Sequence, residues 1–498
     1  MYTNCKKGYN LIMNTSHLTL LTDLYELTMM QGYFKNNTDE TVIFDVFFRS
    51  NPEGAAFSLT AGLAQVIEYI NGLHFTPSDI DYLRSTGLFQ EDFLDYLKDF
   101  RFTGDIYAIP EGTVVFPKEP LLKVIAPIME AQIVETAILN IINHQSLICT
   151  KAARVVYAAG GGVMEFGLRR AQGPDAGTYG ARAAVIGGCV GTSNVLAGQM
   201  FDIPVKGTHA HSWIMSFKTE LEAFRNYASL YPGNCLLLVD TYDTLKSGVP
   251  HAIQVFDEMK AKGIPLGLYG IRLDSGDLAY LSKKARKMLD DAGYTDAVIS
   301  ASSDLDEYLI DSLKTQDAKI NSWGVGTNLI TSKDNPAFGG VYKLAAVKDA
   351  DSTNFTPKIK LSENTEKVTN PGNKTVYRIY SKSTGKIKAD LICLADEVFD
   401  PDETMIIFDP ADTWKKTKVL GGTYELRELL VPVIREGKRV YTSPEVMDLR
   451  EYCQKEQNTL WDESRRLVNP QKVYVDLSQK LYDLKKNLLE EMSEKALD

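Results

Sequence analysis

The chain has 498 residues, with 54 Lys+Arg against 65 Asp+Glu and a formal net charge of −11. That length suits two or three domains of about 100–200 residues, and 44% hydrophobic with 24% charged residues excludes a disordered or collagen-like polymer. The acidic surplus argues against a nucleic-acid coat or a polybasic membrane binder, and the lack of a persistent heptad or repeat argues against a filament.

In chain order, the opening stretch through LLTDLYELTMM carries a CKK but no apolar core and no small-residue cleavage site. With no apolar run of about 18 residues anywhere, the expectation is a cytoplasmic protein, neither secreted nor membrane-spanning. The six cysteines are scattered without a CxxC and read as reduced thiols. Residues 1–135 read as an α+β domain: a helix around Leu21–Phe34, a strand over Val42–Phe48, helices near Gly62–Asn71 and Glu91–Phe100, and a strand pair in DIYAIPEGTVVFP and LLKVIAP.

Residues 136–350 alternate short apolar runs with helical segments, the pattern of an irregular (β/α) barrel. Seven strands are expected: VMEFGLRR, a short one before GTSN, IPVKGTHAH, CLLLVD, PLGLYGIRLD, AVISAS and SWGVGT. Residues 351–498 read as β hairpins, with a turn-rich SENTEKVTNPGNK, a reversal at Thr384-Gly385 and a charged helical tail from Val446. The tail is expected to pack on the N-terminal domain, so that one α+β domain is built from both ends of the chain, while its KKNLLEEMSEK run reads as a solvated helix face or frayed end.

In parallel α/β folds the loops at the carboxyl ends of strands build the site, and here each apolar run ends in a polar or Gly-rich cluster. His209 and His211 in GTHAHSW are spaced to share one face of a strand. Such a pair can hold a metal, exchange protons, or present one nucleophilic imidazole. Zinc needs three or four ligands, and no HExxH or cysteine cluster supplies them, which favours a phosphate-accepting ring, more at His211 than at His209. Asp240 is the natural carboxylate to orient that ring, or else a helix cap.

In RLDSGD, Arg272 suits an anion while one of the two carboxylates, Asp274 or Asp277, faces a ribose hydroxyl or a magnesium-bound diphosphate; alternatively Arg272 pairs with Asp274, and Asp277 caps the next helix. GVGTN, with Gly326 and Thr327, offers backbone N–H groups to a phosphate, without the lysine of a P-loop. Phe166, Arg169 and Arg170 can hold a flat anionic ring, or they lie on the surface or in the core.

Taken together, LLTDLYELTM, FGLRRAQGPDAG, GTHAHSW, LLVDTYDT, RLDSGD and GVGTN with FGGVYKL resemble the nicotinate phosphoribosyltransferase family, of the type II phosphoribosyltransferase fold. The resemblance implies formation of nicotinate mononucleotide and diphosphate from nicotinate and 5-phosphoribosyl 1-diphosphate, in NAD salvage. It implies Mg2+ as cofactor, ATP as co-substrate and His211 as the residue phosphorylated. It places Asp240 beside the phosphohistidine and Arg169 near the pyridine. Thr208, Arg272 and Thr327 match positions that bind nicotinate or the phosphoribosyl diphosphate, and Asp274 and Gly326 fall in the same substrate-binding strings.

The resemblance also stacks the ring between Phe166 and a Tyr25 supplied by the partner subunit of a homodimer. The rival nicotinamide enzyme of the same fold carries an aspartate where this chain has Gly191-Thr192-Ser193-Asn194. A carboxylate there would repel nicotinate, so its absence favours the acid. A phosphoribosyl-ligand-binding protein without turnover is the other class of reading. Magnesium ligands stay unassigned.

Overall fold

The computed structural model describes residues 17–36, 38–360, 368–410 and 415–495. Thr41–Phe48 is apolar at successive positions because both faces of its sheet are covered, and it pairs antiparallel with Leu122–Pro127 on one side and Gly340–Lys348 on the other. Val431–Arg435 joins the same seven-stranded sheet through Asp105–Ala108. The α+β domain therefore draws on both ends of the chain. The expected central boundary at 350 is corrected: Gly340–Lys348 belongs to this sheet along its whole length.

The central unit is a parallel sheet in the order Val163–Glu165, Ser322–Val325, Val298–Ala301, Leu268–Leu273, Asn234–Leu238. Successive residues of its strands are buried on both faces, which is why these runs are apolar rather than alternating. The two other expected strands are corrected to single parallel bridges, Glu165 to Thr192 and Thr192 to Val205. GTSN and IPVKG are too rich in Gly, Pro and turn formers to pair further.

The staves curve around a cavity of about 500 Å³ lined from six of the seven, including Met164, Val205, Leu236, Leu268, Val298 and Ser322. No backbone ladder joins the Val205 edge to Asn234–Leu238 among the described residues. At that seam the Leu238 N–H donates to His209 Nε2 at 3.3 Å.

The hairpin of Lys374–Ser381 and Ile387–Leu394 turns through Gly385 at φ +67°, as read from the sequence; part of the turn-rich segment before it, 361–367, lies outside the described residues. The tail is not wholly helical, because Tyr474–Leu477 adds a strand parallel to Ile387–Leu394. Its first helix, Val446–Asn458, docks on both: Arg450 Nε donates to Cys189 O of the central unit at 3.0 Å, and Tyr452 OH lies 3.0 Å from Thr113 Oγ1 of the N-terminal domain. The last helix, Gln479–Lys495, is anchored by fully buried Leu481 and by Tyr482 stacked on Phe408 at 5.0 Å. Pro77–Ser85 is a helix missed in the sequence, although its Thr76–Asp79 capping box was legible. Cys5 lies outside the described residues, and the five described cysteines are free and buried. Among the described residues no helix is long and apolar enough to cross a membrane.

Candidate active site

Above this lumen, at the carboxyl ends of the strands, opens a second cavity of about 510 Å³ that shares Phe166, Gly207, Thr208 and Arg272 with the lumen below. Arg169, Asp274, Gly326 and Thr327 line it too. Seven of the ten residues singled out from the sequence thus face one continuous space.

Phe166 leaves the end of its strand with its N–H on Val325 O at 2.8 Å. Its ring occupies the space above Gly324, where a Cβ would sit 2.5 Å from the ring edge, so glycine is required there by close approach. Behind the ring, fully buried Glu165 accepts from the Gly167 N–H and from Thr192 Oγ1, tying the Phe166 turn to the GTSN loop. Burial pushes its carboxyl above the usual range. Sequence reading missed Glu165; a carboxylate inside an apolar strand was the available signal.

Arg272 does not pair with Asp274. Its Nη1 donates to Thr208 Oγ1, and its buried Nε has no partner among the described residues. Desolvation lowers its pKa, opposed by Asp274 and Asp240. Arg169 and Arg170 stand on the exposed turn Leu168–Arg170 at the cavity mouth.

The two histidines do not share a strand face. His211 opens the short helix His211–Met215, with Nδ1 3.1 Å from Thr241 Oγ1 and Nε2 3.5 Å from Asp274 Oδ2. His209 points into the seam, its ring 4.5 Å from Tyr227. Burial and then Arg272 push it down to about 4, which keeps Nε2 free to accept the Leu238 N–H.

The expectation that Asp240 orients His211 is corrected, as is its alternative role as a helix cap. Asp240 Oδ2 accepts the Asp274 N–H at 2.8 Å and Ser275 Oγ at 2.7 Å, while Oδ1 is buried with no partner among the described residues. Asp243 does the capping. Asp274 takes the orienting place beside His211 and is itself held by Ser302 Oγ. Asp277 caps Leu278–Asp291, its side chain accepting the Tyr280 N–H at 3.0 Å. The partners of Thr241 and Ser302 were not anticipated, since only the fold brings them together.

Tyr25 lines neither cavity. It stands 47% exposed on the helix Leu24–Lys35, in an apolar row with Leu21, Leu24 and Met29. Next to it Glu26 is fully buried, accepting the Thr136 N–H at 3.1 Å and Oγ1 at 2.7 Å, which fastens this helix to the start of Glu135–Ala159. No group of three or more His, Cys, Asp or Glu able to hold a metal occurs among the described residues.

The geometry can therefore hold a flat anionic ring against Phe166, with a cation in the lumen and an imidazole-carboxylate pair on the rim. The family models for nicotinate phosphoribosyltransferase match this chain in three parts: the N-terminal domain over 20–143, the family itself over 162–386 and the C-terminal domain over 373–485. The chain is 45% identical to a nicotinate phosphoribosyltransferase of Bacillus subtilis (strain 168), over 96% of its own length and 98% of the relative. It is 41% identical to nicotinate phosphoribosyltransferase pncB2 of Mycobacterium tuberculosis (strain ATCC 25618 / H37Rv), over 90% and 89%. The crystal structure of human nicotinic acid phosphoribosyltransferase superposes with a TM-score of 0.81 at 29% identity, covering 94% of this chain and 100% of that one.

Proposed function

The chain belongs to the nicotinate phosphoribosyltransferase family, and from that premise we propose that it joins nicotinate to 5-phosphoribosyl 1-diphosphate, with ATP hydrolysis coupled through a phosphate on His211. The observation that carries the choice of substrate is the lumen itself. Its lining includes Phe166, Arg272 and Lys206 and, among the described residues, not one carboxylate. Of the GTSN loop only Ser193 lines the rim cavity, because Thr192 is bonded to Glu165 and Asn194 caps Val195–Phe201. An acid is attracted there, whereas the amide would find no acceptor carboxylate.

In the reaction the pyridine nitrogen forms a bond to ribose C1 as the C1–O bond to diphosphate breaks, and the leaving oxygen keeps the electron pair. The nitrogen loses no proton, so no general base is needed, and catalysis rests on positioning and on charge. Phe166 orients the ring, the free Nε edge of Arg272 meets its carboxylate, and Asp274, Gly326 and Thr327 stand where the phosphoribosyl moiety would lie. The residues present fit magnesium: Asp240 Oδ1 is buried without a partner among the described residues, and Asp240 Oδ2 accepts the backbone N–H of Asp274. When bound, magnesium neutralises diphosphate charge.

One His211 ring nitrogen bonds to the γ-phosphorus of ATP as the bond from that phosphorus to the β–γ bridging oxygen breaks, and ADP leaves with the electron pair. Thr241 or Asp274 holds the proton on the other nitrogen. The phosphate adds up to about two negative charges beside Asp274, which reorganises the Asp274–Ser302 contact and so couples ATP to the rim. The protein acts as a homodimer in which the Leu21–Met29 apolar row packs on a second copy and Tyr25 closes the partner's ring site. It works in the cytosol, in NAD salvage.

Steady-state assays with nicotinate and nicotinamide, each with phosphoribosyl diphosphate and Mg-ATP, test the reading. Turnover of nicotinate alone supports it; equal rates, or none with nicotinate, reject it.

A further inference from the structure

One buried carboxylate stands behind the site without a part in the proposed reaction. Glu165 ends the first strand of the parallel sheet, is fully buried and lines neither cavity. Burying a carboxylate is costly unless donors meet it. Elsewhere cations do so: Arg182 pairs with Glu111, and Lys151 and Arg154 pair with Glu307. Glu165 has, among the described residues, a backbone N–H and a hydroxyl instead. Gly167 donates to Oε1, and Thr192 Oγ1 donates to Oε2 at 2.6 Å.

Both donors sit in loops that carry site residues. Gly167 directly follows Phe166, whose own N–H is fixed on Val325 O at 2.8 Å, so the backbone is pinned on either side of the ring. A Cβ on Gly167 would lie 2.5 Å from Ile330 Cβ and 2.8 Å from Glu165 Oε1. The turn is thus clamped between the carboxylate and the helix Thr327–Ile330. On the other side, Thr192 Oγ1 accepts the Asn194 N–H at 3.0 Å, and the Glu165 carbonyl accepts the Ser193 N–H at 2.9 Å. Ser193 and Thr327 line the rim cavity. Glu165 therefore sets the ring of Phe166 and two rim loops relative to one another. Two donors arriving at separate oxygens call for a carboxylate, because an amide accepts at one end and turns its own N–H on the donor at the other.

We infer that Glu165 is a positioning residue for nicotinate, which acts through Phe166 by holding the face on which the pyridine stacks. This rests on the substrate reading above. Aromatic pairs depend on ring geometry, and a site held to within about 0.5 Å needs its supporting side chains locked in turn. Phe166 meets the pyridine before and during bond formation alike, so a loosened ring costs uniform binding and falls on KM rather than kcat.

Steady-state kinetics of the full-length protein with nicotinate, phosphoribosyl diphosphate and Mg-ATP provide the test, with wild-type turnover read first. Glu165→Gln keeps the shape and removes one acceptor. KM for nicotinate should rise about tenfold, the loss of one hydrogen bond to a charged group, with kcat within about twofold. Thr192→Val should raise KM in the same direction, and Thr192→Ser, which keeps the hydroxyl, should hold the wild-type value. This pair carries the test even where Glu165→Gln does not fold. A side chain that only stabilises the fold would not act through the ring, so the double variants decide. In Phe166→Leu, which has already lost the stack, adding Glu165→Gln or Thr192→Val should change KM less than about twofold. Additive losses in the double variants, an unaltered KM in both Glu165→Gln and Thr192→Val, or a Thr192→Ser variant as impaired as Thr192→Val overturns the proposal while wild-type turnover stands. No turnover of nicotinate by wild type overturns the substrate reading, and the proposal falls with it.

Discussion

Two arginines, the buried Arg182 and the half-buried Arg272, show how differently the scaffold and the strand-end site handle charge. Arg182, on the helix Pro174–Ile186, meets Glu111 through two hydrogen bonds at 2.7 and 2.8 Å, with Gln145 closing the network at 3.0 Å. Its charge is spent inside the protein, and Glu111 holds its pKa up. Arg272 has, among the described residues, one hydroxyl partner and an Nε with none, and its pKa is depressed. Buried pairs are expensive to break because a lone charge is left behind. A lone charge that folding has already left behind is a place for a ligand.

The contrast can be broken in several ways. The largest effect is expected from His211→Ala, which should abolish ATP hydrolysis and the ATP-dependent gain in rate while leaving slow uncoupled synthesis; normal ATPase in that variant would disprove the phosphohistidine. Arg182→Met should cost about 3–5 kcal/mol in denaturant unfolding, since it strands Glu111. Arg272→Met should do the reverse, keeping or raising Tm while nicotinate kcat/KM falls about a hundredfold. Similar stability losses in the two variants would erase the distinction.

The His209 seam gives a smaller, pH-dependent effect. Its folded pKa of about 4 lies below the usual value of 6.5. The unfolded chain therefore binds the extra proton first, and the seam's stability is fully present above about 6.5 and lost as pH falls towards 4. Relative to His209→Asn, wild type should lose on the order of 2–3 kcal/mol across that window, read from unfolding at each pH. The smallest effect is set by Gly324: Gly324→Ala pushes a methyl against the Phe166 ring and should raise KM for nicotinate about tenfold with Tm little changed.

Much of the rim was legible because it follows a rule of position. Apolar runs ending in polar clusters marked the strand ends, and Phe166, Arg272, Asp274 and Thr327 do face one cavity. Asp277 as a cap was readable too, since capping is decided within one turn of helix. The partners of those residues were not readable. His211 meets Thr241 and Asp274, and Asp240 meets the backbone of Asp274, contacts between staves far apart in sequence. The i, i+2 spacing of the histidines misled for the same reason, because it assumed a strand where Pro204 and Gly207 stop the ladder.

By itself the sequence determined the fold class, the family resemblance and which residue types gather at the rim, because periodicity, caps and strand-end chemistry are written within a few neighbouring positions. Only the tertiary structure decided that Gly340–Lys348 belongs to the N-terminal sheet, that His209 fills a seam, and which charges stay unpaired. Those outcomes depend on which distant segment reaches a given carbonyl, carboxylate or lysine first. Local pattern carries no record of that, and burial makes the result count.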